Sequence, residues 1–355
     1  MAKKLMKGNE AIAEAAIRAG ALSYFGYPIT PQNEVAEYLS KRMPEVGGMF
    51  VQAESEVAVG NMLFGAAATG KRAFTTSSSP GISLMQEALS YLAGAQIPVV
   101  IVNIMRGGPG LGGILPSQAD YFQAVKGGGH GDYRLLVLAP STVQEAADLM
   151  MLSFHLADKY RNPVMLLADG LIGQMMESVE IPDKYDEPPL PKKDWAATGC
   201  LGREPNILKS LHLDPLVLEQ NNIELQKKYD RAKKEEVRCE KFNISDKNDV
   251  VLFAYGTMAR ICKTVIENLA EEKISVGLFR PISLFPFPEK EVSEIGDMKK
   301  VKFFMSVEMS MGQMIEDIRL SMAGKQEIKF YGRCGGIVPT PEEVGAKIKE
   351  LLKKQ

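Results

Sequence analysis

The chain has 355 residues, enough for two domains of ordinary size. Hydrophobic residues make up 45% and charged residues 24%, so a core of this size needs no disulfide or metal to hold it. The formal net charge is −2 and no basic-aromatic stripe occurs, which points away from nucleic acid.

The N-terminus starts basic, but Glu10 and Glu14 sit at helical spacing and no apolar core of a signal peptide follows. Asn9 is placed to cap a helix of Ala11, Ile12, Ala15, Ala16 and Ile17 that stops at Gly20. A short strand, Ala21–Phe25, leads into Gly26-Tyr27-Pro28-Ile29-Thr30-Pro31, where Thr30 suits an N-cap and Pro31 the first helical position. That helix is expected to run to about Lys41. Strands are predicted at Met49–Gln52, Arg72–Thr76, Pro98–Ile104, Leu135–Leu138 and Val164–Ala168, with helices at Ser55–Thr69, Ile82–Ala93 and Val143–Lys159. Strands alternating with helices imply an α/β fold with a parallel, helix-covered sheet over residues 1–182. The longest apolar runs, such as Ile97–Ile104, fall short of the roughly 18 residues that a membrane helix needs.

Residues 183–245 read differently. Pro188, Pro189 and Pro191 break regular structure, and Asp214–Lys241 is highly charged with apolar residues at helical spacing, as in a connector with one exposed helix. The α/β pattern resumes over 246–355, with strands at Val250–Ala254, Ile274–Leu278, Val301–Ser306 and Glu327–Tyr331, a second and smaller parallel-sheet domain. Cys200, Cys239, Cys262 and Cys334 are widely spaced and form no C-x-x-C, which argues against a zinc or iron–sulfur site on this chain and fits the reduced cysteines of a cytoplasmic protein.

Several strand ends could carry chemistry. The Tyr27–Pro31 turn opens a helix, where free N–H groups bind an anion, or where Thr30 merely caps. In Glu54-Ser55-Glu56 two acids fall at a strand-to-helix junction, which the helix dipole alone would stabilise, yet the helix that follows is rich in small residues and permits close packing against a cofactor. Hydroxyls cluster in Thr75-Thr76-Ser77-Ser78-Ser79-Pro80-Gly81, either for a polar ligand or as a capped turn. Gly108, Gly110 and Gly113 satisfy G-x-G-x-x-G, but Pro109 and Pro116 interrupt it and no clear helix opens there. A mobile loop that brings Arg106 to an anionic substrate is the better reading, since arginine binds carboxylates bidentately. His130 lies in a glycine-rich loop, as a proton carrier or a solvated residue. No metal-ligand cluster is visible.

The Tyr27-Pro28-Ile29-Thr30-Pro31 turn, the Glu54-Ser55-Glu56 helix start, the Thr76–Gly81 turn and the Arg106-Gly107-Gly108-Pro109 loop, in this order, resemble the alpha-type subunits of 2-oxoacid:ferredoxin oxidoreductases. The likeness covers nearly the whole chain. The length and the opening Lys4–Glu10 look closest to the 3-methyl-2-oxobutanoate (2-oxoisovalerate) enzymes, with the 2-oxoglutarate enzymes as near relatives. The resemblance implies a thiamine-diphosphate-binding fold, its pyrimidine domain first and a transketolase C-terminal-like domain second. It implies that Glu56 is catalytic, hydrogen-bonding N1′ of the aminopyrimidine and so favouring the tautomer that deprotonates the thiazolium. By the same resemblance Pro28, Ile29, Glu56 and Ser78 bind the cofactor, and Thr30 and Arg106 hold the substrate carboxylate. Thiamine enzymes hold the diphosphate through magnesium on a Gly-Asp-Gly motif; here Ala168-Asp169-Gly170 is the nearest approach. The resemblance therefore implies a beta-type partner subunit that carries Mg2+ and shares thiamine diphosphate. Iron–sulfur clusters are expected on partner subunits, which include possible gamma and ferredoxin-like delta chains. Coenzyme A is the expected co-substrate and ferredoxin the electron acceptor.

Two rivals stay open on the sequence. A beta component of a lipoamide-linked 2-oxoacid dehydrogenase, or a transketolase-like chain, pairs similar domains, although the Pro28-Ile29-Thr30-Pro31 turn favours the ferredoxin family. A non-catalytic nucleotide- or flavin-binding electron-transfer subunit would use the Gly108–Gly113 loop instead.

Overall fold

The structure is a computed structural model and describes residues 3–354. In chain order the first part comprises β1 (Lys4–Lys7), α1 (Gly8–Arg18), β2 (Ser23–Gly26), α2 (Asn33–Glu45), β3 (Met49–Gln52), α3 (Glu56–Ala68), β4 (Ala73–Ser77), α4 (Ser79–Leu84), α5 (Gln86–Gly94) and β5 (Val100–Met105). It continues through α6 (Tyr121–Val125), β6 (Leu136–Leu138), α7 (Val143–Tyr160), β7 (Val164–Asp169), α8 (Gly170–Gln174) and β8 (Met176–Val179). Then come α9 (Pro215–Glu235), β9 (Cys239–Phe242), β10 (Val250–Phe253), α10 (Gly256–Glu271), β11 (Val276–Pro281), β12 (Ser283–Phe285), α11 (Glu289–Gly296), β13 (Phe303–Glu308), α12 (Met314–Met322), β14 (Ile328–Gly332) and α13 (Pro341–Leu352).

The first sheet has seven strands in the order β12-β6-β7-β5-β4-β2-β3. Its central strands β4, β5 and β7 are buried along their whole length, as in a sheet covered on both faces; β5 and β7 are mostly apolar, and β4 turns to hydroxyls at Thr75, Thr76 and Ser77. Helices α1 and α7 cover one face with Ile12, Ala16, Met150 and Phe154; α3, α4 and α5 cover the other with Leu63, Ile82 and Leu89. The second sheet has five strands, β14-β13-β10-β11-β9.

The α/β class and two sheet-centred layers follow the sequence pattern, with four corrections. The stretch 183–245 is more than a connector with a helix: its last strand, β9, pairs antiparallel with β11. Strand β12 crosses back and pairs antiparallel with β6, so neither sheet is wholly parallel. The helix expected from Thr30 starts at Asn33 instead, and the Thr30–Pro31 bond is cis. Asn9 does not cap α1 either: the helix begins at Gly8, and the buried Asn9 amide donates to Pro31 O at 2.9 Å and Glu34 Oε2 at 2.8 Å.

The two sheets are joined at a polar seam. Asp169 at the end of β7 caps α8, and its Oδ1 also accepts the Thr257 hydroxyl at 2.7 Å from the start of α10. Gln118 reaches from the first domain to Tyr255 O at 2.8 Å and to Met309 N at 3.0 Å. Among the described residues no helix is long and apolar enough to cross a membrane.

Candidate active site

Strands β5, β4, β2 and β3 are parallel neighbours, so their carboxyl ends share one edge of the sheet. The chain runs outward from β2 to β3, then returns to β4 on the other side of β2 and on to β5. The winding reverses between β2 and β4, and such a reversal opens a crevice at the carboxyl ends of the strands. The loop of Pro28, Ile29 and Thr30 follows β2, and the Ser77-Ser78 turn ends β4.

A buried thread ties these two ends together. Tyr24 OH and Thr76 Oγ1 lie 3.0 Å apart, Thr76 Oγ1 donates to Gln32 Oε1 at 2.5 Å, and Gln32 Nε2 donates to Tyr27 O at 3.4 Å. Burial pushes the Tyr24 phenol up to about 12, so it stays protonated and shares that hydrogen bond. Gln32 and Tyr24 carry no pattern that marks them in sequence; only the fold brings them to Thr76.

Ser55 caps α3, its Oγ accepting Ala58 N–H at 3.2 Å. This cap directs Glu56 inward, where it is 5% exposed, and leaves Glu54 exposed to solvent. The Glu56 carboxylate sits against Gly81 beside Ser77 Oγ, and a side chain at Gly81 would collide with both. No side chain or N–H among the described residues hydrogen-bonds to Glu56. Ser77 Oγ and Ser78 Oγ are likewise buried without a partner. A buried unsatisfied polar group costs roughly 1–3 kcal/mol, so an unpartnered Ser77 hydroxyl beside an unbonded carboxylate, with Ser78 next along the chain, marks a ligand position. An ionisable acceptor, hydroxyls that both donate and accept, and a wall without a side chain fit the polar edge of a flat heterocycle. This is what a pyrimidine subsite for thiamine diphosphate requires.

Arg106 follows β5 and is 7% exposed. Its guanidinium donates to Thr30 O at 2.9 Å and Leu111 O at 3.1 Å, while Nε is buried without a partner. Its charge therefore faces carbonyl dipoles only, and no carboxylate among the described residues neutralises it. Thr30 Oγ1 accepts from Asn33 Nδ2 at 3.3 Å. Thr30 and Arg106 thus lie together, and Ser79, next to Ser78, joins them to the first cluster by accepting Arg106 N–H at 3.0 Å. The mobile-loop reading needs correction: Arg106 is pinned at a strand end. Beyond it the glycine loop folds back through an Arg106–Pro116 bridge and opens no helix at Gly113, so it lacks the form of a dinucleotide loop.

Pro28 is exposed and Ile29 half-buried beside this cleft. His130 lies apart, 3.4 Å from Ser90 Oγ and edge-on to Tyr91 on α5. Asp120 was not legible as a site residue. Its Oδ2 accepts Ser79 Oγ at 2.6 Å and Asn103 Nδ2 at 2.9 Å. Burial raises its carboxyl, and those two bonds partly offset the rise. Asp169 has its carboxylate engaged by α8 and Thr257.

The crevice, the buried acid and the pinned arginine are compatible with the pyrimidine-binding half of a thiamine-diphosphate fold. Residues 14–240 match the family described as pyruvate flavodoxin/ferredoxin oxidoreductase, thiamine diphosphate-binding, and residues 248–344 match pyruvate:ferredoxin oxidoreductase core domain II. The chain belongs to the 2-oxoacid:ferredoxin oxidoreductase family. It is 49% identical to ketoisovalerate oxidoreductase subunit VorB of Methanothermobacter thermautotrophicus, over 99% of this chain and 98% of that one. It is 35% identical to 2-oxoglutarate synthase subunit KorA of Archaeoglobus fulgidus, over 94% and 95% of the two chains. Among solved structures it is similar to a 2-oxoglutarate:ferredoxin oxidoreductase from Magnetococcus marinus, with 2-oxoglutarate, coenzyme A and succinyl-CoA bound, at a TM-score of 0.83 and 26% identity. That match covers 98% of this chain and 65% of the solved one.

Proposed function

We propose that this chain is the pyrimidine-binding subunit of a 2-oxoacid:ferredoxin oxidoreductase that converts 3-methyl-2-oxobutanoate and coenzyme A to the acyl-CoA and CO2 while reducing ferredoxin. The observation that carries the reading is Glu56: a buried carboxylate without a hydrogen bond among the described residues, set against Gly81 and the unpartnered Ser77 hydroxyl near the reversal point of the sheet. The relative named for ketoisovalerate, more similar than the one named for 2-oxoglutarate, supports the branched-chain substrate.

Bound thiamine diphosphate supplies the electron sink for loss of CO2. Glu56 would hold a proton at N1′ of the aminopyrimidine, the Ser78 hydroxyl would offer the ring a hydrogen-bond partner, and Pro28 and Ile29 would supply apolar contact. Arg106 and the Thr30 segment orient the 2-oxo acid by its carboxylate, and burial strengthens that charge pairing by excluding water. A beta-type partner would complete the site with Mg2+ and the diphosphate, and partner subunits would carry the iron–sulfur clusters that take up the electrons. Gamma and ferredoxin-like delta chains are the expected further subunits, in the cytoplasm.

The test purifies the complex through this chain and assays it with coenzyme A and a ferredoxin or viologen acceptor. The assembled complex should favour 3-methyl-2-oxobutanoate over 2-oxoglutarate, and the isolated chain should be inactive. Full turnover by the chain alone would overturn the half-site reading; a preference for 2-oxoglutarate would overturn the substrate.

A further inference from the structure

The main chain of Arg106 is clamped from behind, independently of its guanidinium. Ser79 Oγ accepts Arg106 N–H at 3.0 Å and lies 2.6 Å from Asp120 Oδ2 and 3.2 Å from Arg106 O. A hydroxyl has one proton to give. The shorter contact, to a charged acceptor, takes it. Asp120 thereby fixes Ser79 as the acceptor for Arg106 N–H. The same Oδ2 accepts Asn103 Nδ2 at 2.9 Å from within β5, so one carboxylate oxygen holds the end of this strand at two points.

Asp120 in turn stands on a segment held by the second domain. Gln118 N–H donates to Met309 O at 2.9 Å, its side chain bonds Tyr255 O and Met309 N, and Tyr255 OH donates to Gln118 O at 3.2 Å.

We infer that Asp120 is a positioning residue: through Ser79 and Asn103 it sets the end of β5, and with it the guanidinium of Arg106, and it carries the grip of the second domain on the substrate site. The inference rests on the reading of Arg106 as the ligand of the 2-oxo acid carboxylate.

The experiment uses the assembled enzyme and varies the 2-oxo acid. Asp120→Leu, of similar size but without an acceptor, should raise KM by about tenfold or more, since small misplacements of an orienting group cost about that much. Its effect on kcat should be smaller, and thiamine diphosphate affinity should not change. Asp120→Asn should restore KM to within about threefold, because both bonds fall on one oxygen that an amide oxygen can replace. Ser79→Ala should repeat the KM rise, and it carries the same test if Asp120→Leu fails to assemble. In an Arg106→Ala background Asp120→Leu should add no more than about twofold, as expected for residues acting in one chain of contacts. An equal factor with and without Arg106, or equal damage from Leu and Asn, would overturn the positioning role. A normal KM in Arg106→Ala alone would instead remove the carboxylate role on which the inference stands.

Discussion

Glu56 and Glu308 are both buried glutamates beside a helix N-terminus, and the molecule treats them in opposite ways. Glu308, at the end of β13, accepts from the hydroxyls of Ser306 and Ser310 at 2.8 Å and from the N–H groups of Gln313, Met314 and Ile315 at 2.9–3.1 Å. The Glu56 carboxylate accepts no hydrogen bond from the described residues, and the Ser77 hydroxyl beside it is also unpartnered. The first arrangement satisfies the charge internally and stabilises the turn into α12. The second leaves polar capacity unused at a cost to the fold, as a prebuilt binding surface does. The same contrast runs along the whole boundary. The seam of Gln118, Asp169 and Thr257 is closed by hydrogen bonds, while the edge at β2, β4 and β5 keeps orphan atoms on Ser77, Ser78 and Arg106.

This comparison breaks first at Glu56. Glu56→Gln keeps size and packing but cannot exchange a proton with the pyrimidine, so turnover of the assembled complex should fall by roughly 10²–10⁴-fold. Melting temperature should hold, because no hydrogen bond is lost in the free chain. C2–H exchange of bound thiamine diphosphate, measured beside a melting curve, decides: unaltered exchange would remove Glu56 from the chemistry. A parallel Glu54→Gln should behave as wild type, since Glu54 is exposed.

Arg106→Ala comes next. Loss of a buried charged contact to the substrate is worth about 2–5 kcal/mol. The expected result is a large rise in KM for the 2-oxo acid with thiamine diphosphate affinity unchanged. A fall in cofactor affinity at constant KM would assign the arginine to the cofactor.

Glu308→Gln should give the opposite signature to Glu56→Gln. An amide cannot accept from all five donors, and stranded donors inside the protein cost about 1–3 kcal/mol in all. Urea unfolding should shift to a lower midpoint, while turnover per assembled complex stays near normal. A stable but inactive variant would mean that the second sheet also harbours chemistry.

Much of the fold was legible because helix and strand periods are local. Met49–Gln52, Val143 onward and Val164 onward emerged nearly as the apolar pattern places them. What the pattern missed is non-local. The β1–β8 pair joins Lys4–Lys7 to Met176–Val179, and β12 returns from the second domain to β6, pairings that no window of sequence contains. The site divides in the same way. Arg106, the Ser77-Ser78 turn and the Glu54-Ser55-Glu56 start stand out because unusual residue types follow strands. Gln32, Asn103, Gln118 and Asp120 do not, since their partners lie on other elements and a lone polar residue in a loop has no distinguishing spacing.

A smaller prediction concerns the connector helix, where polar groups are neither fully satisfied nor part of the cleft. Lys228 on α9 donates to Arg161 O at 3.1 Å and Gln96 Oε1 at 3.4 Å but pairs with no carboxylate among the described residues. Burial, reinforced by the charges of Arg161 and Arg231, pulls its ammonium down to about 7. An unfolded lysine titrates near 10.4, so between about pH 7 and 10 the unfolded chain binds more protons than the folded one. Folding stability must then rise with pH across this window on account of Lys228, and below pH 7, where both states are charged, the full penalty for burying the ammonium remains. Lys228→Met keeps a flexible side chain of similar length and removes the titration. Urea unfolding of both chains at pH 7 and pH 9.5 should show the wild type gaining on the variant at the higher pH. Parallel stability profiles would mean that the ammonium keeps its ordinary affinity for protons, and that α9 docks on the first domain without a buried charge.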